Sequence, residues 1–298
     1  MMGLPQMEKQ DRLETCRKIR NIAAQTCLYV FQHVFKASHK VSEVNFKNQW
    51  LKELERSYFK GFIGCLYDPP PGGIAVLFGD ENNYERVNYP SLRSDIYWPR
   101  PNVFFKKDGL GYVFASPYTM VDNLPIIGDF GFTFYLGDLK VIKDHYRKCY
   151  KVLEKLIDKI EIGKKFKDLY KQSIRIIKDH KLENLILGTT DKAKTDLGHT
   201  IPFIDRNPDE KEMEKIDSGK AEQINGAISQ ARVFCNEFEE YVITDNCAFT
   251  FEPRFISQTG KLPMFSFHTI VQFMNGKKVV LSNFDGIFNL LGMNWLKN

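Results

Sequence analysis

Five side chains of this 298-residue chain have the types and spacing for chemistry on a polar bond: Asp129, Asp138, His199, Glu252 and His268. The first two bracket the segment from Gly128 to Asp138, which reads as two β segments around a tight reversal. Nine positions separate them, so on one straight strand they would face opposite ways. A hairpin or bulge removes that restriction and turns both carboxylates into one cleft. Two inward carboxylates among aromatic residues are costly unless something positive neutralises them, and a divalent metal is the simplest candidate. His199, Glu252 and His268 are placed to complete such a site. Blander readings stand beside this one. The aspartates also suit a sheet-edge hairpin, and His199 suits a satisfied loop position. Glu252, between Phe251 and Pro253 in an apolar strand, needs a partner on either reading.

The elements that must position these residues follow from periodicity. Residues 8–37 carry a helical pattern through Cys16, Ile19, Ala23, Phe31 and Val34. Ser42 reads as the N-cap of a second helix reaching about Arg56. Phe62 to Tyr67 and Ile74 to Phe78 are apolar runs separated by the break from Asp68 to Gly73. Asp80 to Pro101 reads as a long loop whose Tyr84, Tyr89, Tyr97 and Trp98 either wall a pocket or cover a sheet edge. Val103–Phe105 and Tyr112–Ser116 flank a turn at Lys107-Asp108-Gly109 and suggest a hairpin. A helix from Val141 to Ile160 ends at Gly163, and another spans about 165–178. A polar loop, Gly188 to Asp196, precedes His199. Asn207 to Lys215 is charged and reads as exposed, and residues 216–240 read as one more helix. Cys247–Phe251, Met264–Phe273 and Val279–Ser282 read as strands. His145 and His180 are expected to be structural or exposed. The order of helix pair then strands, occurring twice with no Pro-, Gly- or Ser-rich linker between, indicates one α+β domain over 1–298 with a core of about 12–290. It predicts a curved, mainly antiparallel sheet with helices on its outer face.

Composition sets the bounds. A hydrophobic content of 43% is ordinary for a packed core, and the net charge of +5 is spread over many lysines rather than gathered in basic runs. That pattern implies a solvated surface rather than a nucleic-acid partner. The six cysteines contain no C-x-x-C pair, which argues against a disulfide framework or a structural zinc site and fits a reducing, cytoplasmic setting. Residues 1–12 lack an apolar signal core, and no stretch approaches the ~20 apolar residues of a membrane helix.

The ordered set of Asp129-Phe130-Gly131, Gly198-His199 and Phe249-Thr250-Phe251-Glu252-Pro253, carried on two helix-pair-plus-sheet halves, resembles the pita-bread fold of the M24 metallopeptidase superfamily. That group includes methionine and proline aminopeptidases, prolidase and creatinase. The last segment is similar to that family's Phe-Thr-Ile-Glu-Pro strand. The resemblance covers about residues 12–290 and implies pseudo-two-fold halves. It also implies a metal centre holding one or two divalent ions (Mn, Fe, Co or Zn) on Asp129, Asp138, His199, Glu252 and His268. The implied chemistry is attack of a metal-activated water on an amide or other C–N bond of a small molecule or short peptide. Asp129, Glu252 and His199 are the expected catalytic groups, and a homodimer is compatible with the family.

The sequence also departs from the pattern. The interval between the aspartates is two residues short, which preserves strand facing. The arginine of the usual Thr-Arg pair is absent, with Lys140 nearby. His268 stands where the family has an acid. An imidazole offers one nitrogen where a carboxylate offers two bridging oxygens, so a single ion is favoured. No histidine lies between His39 and His145, where the peptidases place a leaving-group histidine. Two further readings therefore remain: a non-haem iron enzyme, and a non-catalytic module of the same fold that binds a peptide or protein.

Overall fold

The computed structural model describes residues 6–37, 40–57, 62–66, 70–185 and 191–297. Tyr67 of the expected apolar run, Asp68 and Pro69 of the expected break, and Gly188, Thr189 and Thr190 of the polar loop lie outside the described residues.

The chain opens with two helices, α1 (Gln6–Lys36) and α2 (Glu43–Ser57). Helix α1 buries Leu13, Cys16, Ile19, Ala23, Cys27, Val30 and Phe31, the three- and four-residue steps that put one stripe against a core. Ser42 caps α2 by accepting from the Asn45 N–H at 3.2 Å. At the start of α2, Glu43 is fully buried. Its carboxylate accepts both Arg86 Nη atoms at 2.7 and 3.0 Å, and the backbone N–H groups of Phe78 and Arg100 at 2.6 and 2.9 Å. Four donors on one carboxylate tie the long 80–101 loop to the helix pair.

Six strands follow: β1 (Phe62–Cys65), β2 (Ile74–Gly79), β3 (Leu110–Ala115), β4 (Pro117–Val121), β5 (Leu124–Ile127) and β6 (Phe130–Tyr135). They form two antiparallel sheets, β2-β3-β6 and β1-β4-β5. Asp122 and Asn123, both at positive φ, make the two-residue β4–β5 turn. The second half repeats the order with α3 (Lys140–Asp158), α4 (Phe166–Asp179), β7 (Leu182–Asn184) and β8 (Gly198–Thr200). Then come α5 (Glu210–Asp217), α6 (Ala221–Ala231), β9 (Ala248–Phe251), β10 (Arg254–Ser257), β11 (Phe265–Ser266), β12 (Thr269–Met274), β13 (Lys277–Leu281) and α7 (Asp285–Leu291). Their sheets are β13-β12-β9-β8 and β11-β10-β7, again antiparallel.

The halves meet where the His268 N–H donates to the Gly131 carbonyl at 2.9 Å and Phe132 bridges Phe267. Phe31, Phe132, Phe134, Phe267 and Phe284 gather there in edge-on and tilted contacts. Such contacts add about 0.5–1.5 kcal/mol per pair beyond burial alone. This aromatic seam fixes the strands that carry the candidate site.

Three local expectations change. The 103–116 hairpin does not form: Phe105 N donates to the Val41 carbonyl and Glu43 N to the Val103 carbonyl, so this segment pairs with the start of α2, while β3 pairs with β2 and β6. The 216–240 helix is two helices. An Asp209–Glu212 capping box starts α5 six residues earlier than that span, and Gly219 at φ +65 separates it from α6. Residues 232–235 are extended rather than helical, with Phe234 bridging His199. The third change, at Asp138, belongs to the site.

His145 on α3 is buried, with Nε2 at 3.2 Å from the Pro263 carbonyl, and burial lowers its pKa to about 4. The unfolded imidazole titrates near 6.5. Between those values the unfolded chain binds a proton that the folded chain refuses, so stability is complete above about pH 6.5 and declines as pH falls toward 4. His145→Gln is expected to remove about 2–3 kcal/mol of the stability lost over that interval, measured by urea unfolding at a series of pH values. An unchanged acid limb would contradict this assignment.

Candidate active site

Four of the five expected residues come together at the seam between the halves. Asp129 immediately precedes β6, His199 is central in β8, and Glu252 immediately follows β9. His268 lies between β11 and β12. All four are buried. The pairing of β8 with β9 sets His199 opposite Thr250, and the Thr250 hydroxyl donates to Asp129 Oδ2 at 2.5 Å. His199 Nδ1 donates to the Thr200 carbonyl at 3.0 Å, so its Nε2 faces Asp129 Oδ2 at 3.7 Å. Burial, and then the charge of Arg232, lower the His199 pKa and favour the neutral ring, while Asp129 and Glu252 pull the other way. Asp129 Oδ1 is buried without a hydrogen-bond partner.

Asp138 does not join them. Its side chain is 99% exposed and pairs with Lys143 Nζ at 2.7 Å, which lowers its pKa. The expected reversal is missing because all six residues of β6 are buried along one continuous strand paired with β3. The chain leaves at Leu136-Gly137 and enters α3 at Lys140, so Asp138 falls just ahead of a helix N-terminus. A carboxylate is favourable in that position without any metal.

The other two residues are already engaged. His268 Nε2 is 2.9 Å from the Tyr112 hydroxyl. Its Nδ1 is 2.7 Å from Glu252 Oε2, although poorly aligned for a hydrogen bond. The Arg254 guanidinium is 3.5 Å from the same carboxylate oxygen. Burial alone would raise the Glu252 pKa, but His268, Arg254 and His199 outweigh it and hold the carboxyl well below the usual range. Burial likewise opposes the charge of Arg254, and Glu252 restores it.

Arg20, wholly buried on α1, completes the surroundings. It donates to the backbone carbonyls of Asp129, His268 (2.6 Å) and Ser282 (2.7 Å), and lies over the rings of Phe130 and Phe284 at 4.5 and 5.2 Å. Burial lowers its pKa to about 9, which leaves it charged at neutral pH.

A divalent ion does not fit this donor set. Among the described residues no three His, Cys, Asp or Glu side chains are arranged to hold one. Asp129 and His199 offer two donors, Glu252 and His268 are turned to each other, and Asp138 is in solvent. Two guanidiniums, Arg20 and Arg254, stand in the same pocket as the two buried carboxylates, and like charge disfavours a further cation.

Sequence reasoning passed over Arg20, Tyr112 and Arg254. Arg254 carried a signal, because residues two apart in an extended segment share a face and Glu252 is two positions earlier. Arg20 carried one too: it lies one position beyond Ile19 within the buried stripe of α1. Tyr112 carried none, since its contact with His268 spans 156 positions.

No family model matches the chain, and no curated protein does. Solved structures do. The X-Pro aminopeptidase of Thermotoga maritima superposes with a TM-score of 0.60 at 12% identity, over 92% of this chain and 61% of that one. Methionine aminopeptidase of Rickettsia prowazekii gives a TM-score of 0.58 at 13% identity, over 92% of this chain and 97% of that one. A prolidase from Pyrococcus furiosus gives 0.56 at 12% identity, over 89% and 63%. The chain thus spans about three fifths of the X-Pro aminopeptidase and prolidase chains, and nearly all of the methionine aminopeptidase chain. At these identities the likeness carries the fold: the chain has the α+β pita-bread architecture, with antiparallel sheets and paired helices in two similar halves. No helix among the described residues is long and apolar enough to cross a membrane.

Proposed function

We propose that this chain is a non-catalytic pita-bread module that binds a peptide or protein, and that its central pocket serves structure rather than hydrolysis. One observation carries the reading: the Glu252 carboxylate, which the resemblance would give to a metal, is held instead by His268 and the Arg254 guanidinium. A groove of about 900 Å³ opens beside His199, with Phe234 at its floor and Phe238 70% exposed at its rim. An exposed aromatic beside polar and charged neighbours in a groove suits a segment of a partner. All six cysteines are free and buried, which supports a cytoplasmic setting.

A specific feature favours a second reading, the metal-dependent hydrolase or iron enzyme expected from the resemblance. His199 Nε2 and Asp129 Oδ2 are two acceptors facing one another at 3.7 Å, and Asp129 Oδ1 has no partner.

Elemental analysis separates the two. The purified chain, dialysed against Mn, Co, Fe or Zn salts, is expected to retain no stoichiometric metal, to match His199→Ala in this, and to leave Xaa-Pro and Met-initiated peptides uncut. About one bound ion per chain that disappears in His199→Ala would overturn the metal-free reading, and cleavage of those peptides with it would favour the hydrolase.

A further inference from the structure

Glu252 and Arg254 flank Pro253 where β9 passes into β10, and alternation along the extended chain brings both side chains to the same side. Both are nearly closed to solvent, at 8% and 9% side-chain exposure. A carboxylate at this depth needs a compensating charge, and the ion pairs that reach it are those of Arg254 and His268. The Tyr89 and Tyr112 phenols, whose rings are 4.9 Å apart, lie close enough to feel the charges of both Arg254 and Glu252. The Arg254 N–H donates to the Asn184 side-chain oxygen at 3.0 Å, and this holds the start of β10 against β7.

The structure assigns Arg254 the part of a permanent, covalently attached counter-ion: its guanidinium balances Glu252 where the resemblance calls for a dissociable metal, and so makes the pocket independent of metal. This rests on the metal-free reading of the pocket, but it claims more, namely which residue supplies the charge and that charge is what it supplies. A Glu252–metal centre would be left intact by removal of Arg254, whereas a Glu252–Arg254 pair would not.

The test is a mutant cycle read by thermal unfolding with and without added Mn, Co or Zn ions. Wild type is expected to melt at one temperature in chelator and in every metal. Arg254→Met keeps the length of the side chain, removes the charge, and is expected to melt about 10 °C lower. Glu252→Gln/Arg254→Met removes the carboxylate charge as well and is expected to recover more than half of that loss. If Arg254→Met does not fold while the double variant does, the proposal stands. Equal losses in single and double variants, or failure of both to fold, overturn it, because Arg254 then acts through packing. A wild-type melting temperature raised by metal overturns the metal-free reading itself, whatever the cycle shows.

Discussion

Arg20→Met is expected to lower the unfolding free energy by about 5 kcal/mol, or to prevent accumulation of soluble protein. Arg20 reaches from α1 to three backbone carbonyls on three different segments: Asp129 before β6, His268 between β11 and β12, and Ser282 after β13. Methionine would occupy much of the space between Phe130 and Phe284 but would leave those carbonyls without a donor. Each buried acceptor left unpaired costs about 1–3 kcal/mol. The positive charge beside Asp129 is lost as well. Arg20→Lys keeps the charge but not the fork that serves three acceptors at once, and should recover less than half of the loss. Urea unfolding of the three proteins checks this. A loss within ~1 kcal/mol for Arg20→Met would show that water can take over the guanidinium's contacts.

Gly198→Ala should be as severe for a different reason. Gly198 has φ +140, and a Cβ built on it would lie 1.9 Å from the Thr250 carbonyl oxygen and 2.9 Å from its carbon. The obstacle is backbone, so no rotamer change relieves it. Strands β8 and β9 would have to part, taking His199 from Asp129 and the Thr250 hydroxyl from Oδ2. A loss of more than about 4 kcal/mol is expected. Gly163→Ala is the control: its φ is also positive, at +86, but nothing lies within 4 Å of the added carbon. It should cost only the backbone strain, about 1 kcal/mol. Similar losses in the two variants would mean that strain, rather than the close approach of the strands, accounts for Gly198.

These two residues show what the sequence did and did not disclose. The helix pairs were legible because α1, α3 and α4 keep a strict apolar period over many turns. Ser42 was legible as a cap from its position alone. The order Asp129, His199, Glu252, His268 was enough to bring four side chains into one pocket, because each stands in or beside a strand whose pairing is fixed by apolar neighbours. Asp138 failed because its facing depended on a reversal that the sequence only suggested. Six consecutive buried positions in β6 favour one straight strand, and the aromatic seam accepts it. The 216–240 helix failed because Gly219 and the Asp209–Glu212 box were outweighed by an apolar pattern that runs through an extended segment as well. The partners of Glu252 were half visible. His268 is a candidate from sequence, whereas Arg254, one position past the Phe249–Pro253 segment, is not singled out by it.

On the proposed reading, side chains rather than an ion balance the buried Glu252 carboxylate. Whether Glu252 is free to bind a metal is therefore the decisive point. A crystal grown in Mn or Zn salt, with anomalous data collected at the metal edge, addresses it directly. The expected result is Arg254 beside Glu252 and no anomalous peak within ligand distance of Asp129, His199 or Glu252. A strong peak bound by those three side chains, with Arg254 swung away, would contradict the account.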